Sequence, residues 1–207
     1  MPIILLIAIA YLVGSLPIGL FVGMLVAGID IRDFGSGNIG ASNVGRILGK
    51  TWGTIVFAFD VTKGLAPVLV ARHFPSLGGW TPVLVGIAAI MGHNASIFLK
   101  FRGGKGVATS LGVAFGLSWV AGLIAFVSWV VCVAVTQYIS VASLVAVPIG
   151  SVLIWWFNGQ KLSYGLFGIL ATVFVFVKHK ANLSRLSAGE EPKVALPWTP
   201  KAKVPTE

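Results

Sequence analysis

Phe101-Arg102-Gly103-Gly104-Lys105-Gly106-Val107-Ala108-Thr109 lies between two apolar runs, and its reading decides how the chain is arranged. Three glycines in four positions leave backbone amides without side-chain cover, so they can converge on an anion. Lys105 places positive charge among them, with Lys100 and Arg102 just upstream. The residues after Gly106 read as a helix whose first N–H groups point to the same place. The pattern predicts a phosphate cradle at a membrane surface. It is not a Walker-type loop, because Gly106 rather than Ser or Thr follows the lysine and the wide glycine spacing is missing. A flexible basic turn obeying the positive-inside rule is the plainer reading of the same residues.

The runs on either side set the class. Of 207 residues, 57% are apolar and only 10% charged, and mean hydropathy is +0.94. A soluble domain does not hide that much apolar surface, so the chain reads as an all-α, polytopic membrane protein. The net charge of +9 sits almost wholly outside the apolar runs. That favours anionic lipid headgroups and phosphorylated substrates as partners over nucleic acid. The single Cys132 lies in an apolar run, which excludes an intrachain disulfide and a thiolate metal site.

Apolar runs cover residues 2–27, 51–71 and 80–99, and the first carries Gly14, Pro17, Gly19 and Gly23 as small packing positions. From 107 to 177 the chain is nearly continuous hydrocarbon, broken near Leu117-Ser118, at Thr136–Ser140 and at Asn158–Ser163. The first of the four pieces is short for a crossing, roughly 16 Å of helix against ~30 Å of hydrocarbon. The 28–50 interval, the glycine turn and the C-terminal region carry 12 of the 15 basic residues, so all three are expected in the cytoplasm. An even number of crossings must then lie after the glycine turn. The expectation is seven transmembrane helices, N-terminus outside and C-terminus cytoplasmic. Residues 1–191 form one integral-membrane domain in this reading, and 192–207 a proline-rich, disordered tail.

Two further polar constellations join the glycine turn. Ser36-Gly37-Asn38-Ile39-Gly40-Ala41-Ser42-Asn43-Val44-Gly45-Arg46 offers small donors on a pliable backbone, closed by a planar bidentate cation. That suits a ligand bearing phosphate and hydroxyls, although Gly, Ser and Asn also dominate ordinary turns. Near the C-terminus, Lys178-His179-Lys180-Ala181-Asn182-Leu183-Ser184-Arg185-Leu186 leads to Gly189-Glu190-Glu191. If the last helix runs through, His179, Asn182 and Leu186 share a face, where His and Asn can hydrogen-bond a polyol. Arg185 and Glu190 would tie the helix end down; a basic juxtamembrane helix on anionic lipid is the alternative. Asp60 and Lys63, at i and i+3 inside a run, read as a buried structural pair or a proton relay. His93 reads as an interfacial or packed residue, and Ser143 adds a hydroxyl in the Tyr138–Ser143 turn.

No zinc-type cluster and no serine–histidine–carboxylate set is present in the sequence. Five residues after each histidine stand Gly78, Phe98 and Ser184, so the histidine-x4-aspartate box of acyl-CoA-dependent glycerolipid acyltransferases is missing. What remains is three segments rich in phosphate-binding chemistry and few general bases.

These segments, SGNIGASNVGR (36–46), the glycine turn with its upstream Gly92-His93 and Phe98, and KHKANLSRLSAGEE (178–191), come in an order and spacing that is similar to a known pattern. They resemble the three cytoplasmic motifs of the bacterial integral-membrane glycerol-3-phosphate acyltransferases that use acyl phosphate, over about residues 5–191. Ser42 stands where that family usually has Thr, and the proline usual before Phe98 is replaced within Ala95-Ser96-Ile97. The resemblance implies seven helices in the bacterial inner membrane with the active site facing the cytoplasm. It implies transfer of an acyl group from a long-chain acyl phosphate to the sn-1 hydroxyl of glycerol 3-phosphate, without metal or coenzyme. It also implies coupling to the enzyme that makes the acyl phosphate.

By the same resemblance, Ser36, Arg46 and Lys105 hold the glycerol-3-phosphate phosphate, and Asn38, Ser42 and Asn43 flank it. Gly103, Gly104 and Gly106 take the acyl phosphate. His179 and Asn182, with Arg185, meet the glycerol end, and Glu190 is a structural tie. Ser143 or Asn38 would support the developing oxyanion. The rival reading is a transporter for a phosphorylated solute, which predicts motifs on both membrane faces or inverted repeats meeting at mid-bilayer.

Overall fold

The structure is a computed structural model and describes residues 3–194; most of the expected tail, 195–207, lies outside the described residues. The described chain is all helical. The first apolar run forms α1 (Ile3–Ser15) and α2 (Ile18–Ala27) rather than one helix. Pro17 explains the break: it has no N–H to give the ladder and it biases the residue before it out of the α region. The carbonyls freed there are taken up from elsewhere. Lys63 Nζ donates to Leu16 O at 3.0 Å, and the Ser96 hydroxyl donates to Ser15 O at 2.6 Å.

A short α3 (Ala41–Ile47) lies in the polar 28–50 interval, and α4 (Lys50–Arg72) and α5 (Thr81–Asn94) form the next two runs. The long hydrocarbon stretch divides into α6 (Val107–Leu117), α7 (Trp119–Thr136), α8 (Ile139–Phe157) and α9 (Leu162–Lys178), at the expected breaks. The last helix does not run through: α9 and α10 (Lys180–Ser187) meet at His179 with a bend of 55°. Among the described residues, five spans are long and apolar enough to cross a membrane, or six if the bent pair counts as one; α6 has only 11 residues.

The helices pack through small residues. A Cβ on Gly14 would collide with the Ala89 carbonyl and one on Gly92 with the Tyr11 carbonyl, so α1 and α5 lie backbone to backbone. Gly64 against Thr109 and Gly112 against Val61 do the same for α4 and α6. These contacts centre α6 in the bundle, where Val113, Ala114 and Leu117 join a core with Val68, Val83, Ile154 and Phe167. Large apolar side chains such as Leu25, Val135 and Ile169 cover the outside, as a lipid-facing surface requires.

Residues 192–194 depart from the sequence expectation. Val194 N donates to Gln137 O at 2.8 Å and Lys193 Nζ sits 5.5 Å from the centre of the Tyr138 ring. The start of the tail is therefore docked on the α7–α8 turn.

Candidate active site

One cavity of about 320 Å³ gathers residues from all three polar motifs at one end and continues as an apolar arm among α6, α7, α8 and α9. Ser36, Asn38, Ser42, Asn43, Arg46, Lys105, Gly106, Ser143, His179, Asn182 and Arg185 line it; Gly103, Gly104 and Glu190 do not.

The first wall is the 28–50 loop. Asn43 is buried and committed to the loop itself: its Oδ1 accepts from Ser36 N at 2.8 Å, and its Nδ2 donates to Ile31 O and Phe34 O. It is a staple that shapes the loop, not the free substrate ligand the sequence suggested. Asn38 Oδ1 accepts from Gly40 N, which leaves its NH2 for other partners. Arg46 is exposed and, among the described residues, has no carboxylate partner. Its fork remains available to an anion.

The second wall is the glycine turn, and here the expected cradle is corrected. Gly104 N donates to His93 O at 3.0 Å and Gly103 N to Asn94 O at 3.3 Å, so both amides are spent on the end of α5. A Cβ on Gly103 would strike the His93 carbonyl and one on Gly104 the His93 ring. These two glycines are needed for close packing. Gly106 keeps its predicted place: at φ +78° it starts α6, in a conformation that suits glycine. Ser110 N closes the first intrahelical bond to Gly106 O, so the N–H groups before it lie outside the ladder, beside a cavity lined by Val107 and Ala108.

The third wall is the α9–α10 elbow. His179 is buried, and its Nδ1 is 2.8 Å from Val175 O. A carbonyl only accepts, so Nδ1 carries the proton and Nε2 keeps a lone pair for a hydroxyl. Burial, and then the Lys105 charge, push the His179 pKa down to about 4, which keeps the ring neutral at physiological pH. Asn182 links two motifs: Lys105 Nζ donates to its Oδ1 at 2.5 Å, and its Nδ2 donates to Glu191 Oε1 at 2.6 Å. Arg185 Nε donates to Glu191 Oε2 at 2.8 Å. The tie assigned to Glu190 is thus made by Glu191, while Glu190 is exposed. Burial pushes the Glu191 carboxyl up, but the hydrogen bonds from Asn182 and Arg185, with the Arg185 charge, outweigh it and hold the group below its ordinary value. Lys105 is lowered, by burial first; Glu191 pulls it back up, and Arg185 and Arg46 oppose that. With His179 neutral, the polar end sets Arg46, Lys105 and Arg185 against the Glu191 carboxylate, an electrostatic setting for anions.

Ser143 is also committed. Its hydroxyl donates to Ile139 O at 2.8 Å and accepts from Trp129 Nε1 at 3.3 Å, bracing α7 on α8. As placed, its proton is not free for an oxyanion. Two features escaped the sequence reading. Asp60 pairs with Lys63 at 2.7 Å, as that spacing allowed, but its Oδ1 also lies 3.6 Å from Nδ1 of the buried His93, and Asp60 and His93 both line the cavity. The apolar arm gave no signal in the sequence, since a helix face that lines a cavity is written in the same letters as one that fills a core.

Comparison with known proteins agrees with this geometry. The family model described as glycerol-3-phosphate acyltransferase matches residues 4–189. A glycerol-3-phosphate acyltransferase of Synechococcus sp. (strain JA-2-3B'a(2-13)) is 41% identical over 189 residues, covering 91% of this chain and 93% of that one. One from Geobacter sulfurreducens is 45% identical over 184 residues, covering 89% and 93%. The crystal structure of PlsY, an integral membrane glycerol 3-phosphate acyltransferase, in its glycerol 3-phosphate form superposes with a TM-score of 0.88 at 35% identity, covering 93% of this chain and 96% of that one. Its lysophosphatidic acid form gives 0.85 at the same identity, covering 93% and 95%. With the family model, the relatives' sequences and the fold in agreement over about nine-tenths of its length, this chain belongs to the glycerol-3-phosphate acyltransferase family and is a multi-pass membrane acyltransferase.

Proposed function

We propose that the chain transfers a fatty acyl group from acyl phosphate to the sn-1 hydroxyl of glycerol 3-phosphate, giving lysophosphatidic acid and inorganic phosphate. The carrying observation is one continuous cavity whose polar end collects Arg46, Lys105, His179 and Asn182 and whose other end is an apolar arm. A phosphorylated polyol fits one end and an acyl chain the other. The solved relative's two forms, with glycerol 3-phosphate and with lysophosphatidic acid, name an acceptor and a product of those two chemistries.

In this reading Arg46, Lys105 and Ser36 hold the acceptor phosphate, and the first turn of α6 with Gly106 faces the donor phosphate. His179 Nε2 accepts from the glycerol end of the acceptor and positions it, and the sn-1 oxygen attacks the acyl carbonyl. The new ester C–O bond forms, the acyl C–O bond to phosphorus breaks, and the departing phosphate takes the hydroxyl proton. His179 therefore orients. With Ser143 committed, the NH2 of Asn38 and the α6 amides are the remaining oxyanion donors, each worth roughly 3 kcal/mol if well placed.

The same reading takes seven crossings, α1 with α2 as one and then α4, α5, α6, α7, α8 and α9, with α6 short because the glycine turn folds back onto the end of α5. The N-terminus is then outside and the polar end of the cavity opens to the cytoplasm from the bacterial inner membrane. The donor would come from a partner enzyme that makes acyl phosphate. All three motifs meet at one end of one cavity, which argues against a transporter.

Steady-state kinetics of His179→Gln test the reading. The expected result is a KM for glycerol 3-phosphate raised about tenfold, the worth of one lost hydrogen bond, with an unchanged profile between pH 6 and 8. Because its pKa is about 4, His179 loses its lone pair to protonation only well below that window. A kcat loss of several orders of magnitude, with disappearance of a limb near neutrality, would instead make His179 the base.

A further inference from the structure

The apolar arm ends at a floor, and we infer that this floor sets the length of acyl chain the protein accepts, with Ile154 and Phe167 as its base and Ala171 in its side wall. The inference rests on the acyl-transfer reading and adds a specificity that the reading does not contain.

One face of α8 lines the cavity from top to bottom: Ser140, Ser143, Val147, Gly150 and Ile154 recur at helical spacing. The stripe begins with hydroxyls beside the phosphate-binding groups and turns apolar below them. At 1.5 Å per residue, the apolar part of the stripe, from Ser143 to Ile154, is roughly 16 Å. One leaflet gives an acyl chain about half of the ~30 Å hydrocarbon core. The arm therefore has the length of a membrane acyl chain, with little to spare.

It stops where the packed core begins. Ile154 is 1% exposed and Phe167 3%, and both belong to the cluster that also contains Ala114, Val113 and Leu117. The cavity lining on α6 ends at Ala114, one turn before the buried Leu117. Protein interiors are close-packed, so a longer chain meets Ile154 and Phe167 rather than yielding space. Above that floor, α8 contributes the small residues Ala146, Gly150 and Ser151 to the lining. Ala171, partly buried on α9, lines the cavity together with Gly150 and Ser151 of α8, so added bulk there takes up space in the arm.

The test measures kcat/KM of purified protein with glycerol 3-phosphate and a series of lauroyl, palmitoyl and arachidoyl phosphates, read as ratios so that overall losses cancel. Ala171→Leu is expected to lower the palmitoyl-to-lauroyl ratio about tenfold, the worth of roughly two buried methylenes. Ile154→Ala is expected to raise the arachidoyl-to-palmitoyl ratio by a similar factor. Ile154→Val gives the same direction with a smaller change if the alanine variant does not accumulate. Ratios unchanged in variants that still turn over would overturn the floor while leaving the transfer reading intact. A wild-type protein that acylates with none of the donors would overturn the transfer reading itself.

Discussion

Lys105→Met is expected to lower kcat/KM by about three orders of magnitude, while Lys100→Met and Arg102→Met change it by less than about threefold. The three cations are neighbours in sequence, but only Lys105 lines the cavity, and Lys100 and Arg102 are exposed. Lys105 reaches across to Asn182, and burial already pulls its charge down from the ordinary lysine range. An incoming phosphate supplies the counter-charge that Glu191, acting through Asn182, provides only at a distance. Removing one member of such a buried charge contact costs 2–5 kcal/mol, and about 4 kcal/mol corresponds to the stated loss. The expected change lies in both phosphate-bearing substrates, since Lys105 stands between the α6 N-terminus and the α9–α10 elbow. Steady-state kinetics on variants matched for melting temperature check this. A loss below tenfold would mean that the phosphates bind elsewhere.

Glu191→Ala is expected to reduce kcat/KM by about a hundredfold and to lower the melting temperature, whereas Glu190→Ala leaves both nearly unchanged. Glu191 accepts from Asn182 and Arg185, so it ties the chain beyond Gly189 back onto α10 and holds the amide that receives Lys105. A hydrogen bond to a charged group contributes about 1.5–3 kcal/mol, and two such bonds account for the predicted loss. The tie is present at neutral pH and persists on acidification past the ordinary glutamate range, because the folded carboxyl is held below that range; it is lost as pH falls through the folded value. Equal effects at the two glutamates would contradict this assignment.

The contrast between neighbouring glutamates shows what a sequence can carry. The helical frame was legible, since the breaks at Leu117-Ser118, Thr136–Ser140 and Asn158–Ser163 match the ends of α6, α7 and α8. The three motifs were legible because polar residues stand out against hydrocarbon. Their division of labour was not. Whether an amide of Gly103 or Gly104 faces a ligand or an α5 carbonyl depends on how the turn folds back, and that depends on contacts with His93 and Asn94. Asn43 reads as a ligand until the loop closes around it. Glu191 rather than Glu190 faces inward because the chain reverses at Gly189, φ +73°, and Glu190 N bonds back to Arg185 O. Pro17 read as one small packing position among glycines, while the break it forces recruits Lys63 and Ser96 from distant helices. The approach of His93 to Asp60 and the apolar arm arise only from tertiary packing, and no local pattern announces them.

The most direct measurement supplies glycerol 3-phosphate to the purified protein in lipid cubic phase with palmitoyl phosphate or with palmitoyl-CoA. Phosphate release and lysophosphatidic acid are followed together. The account predicts turnover with palmitoyl phosphate and none with palmitoyl-CoA, with one phosphate released per lipid formed. Turnover with palmitoyl-CoA, or lipid formation without matching phosphate, would contradict it.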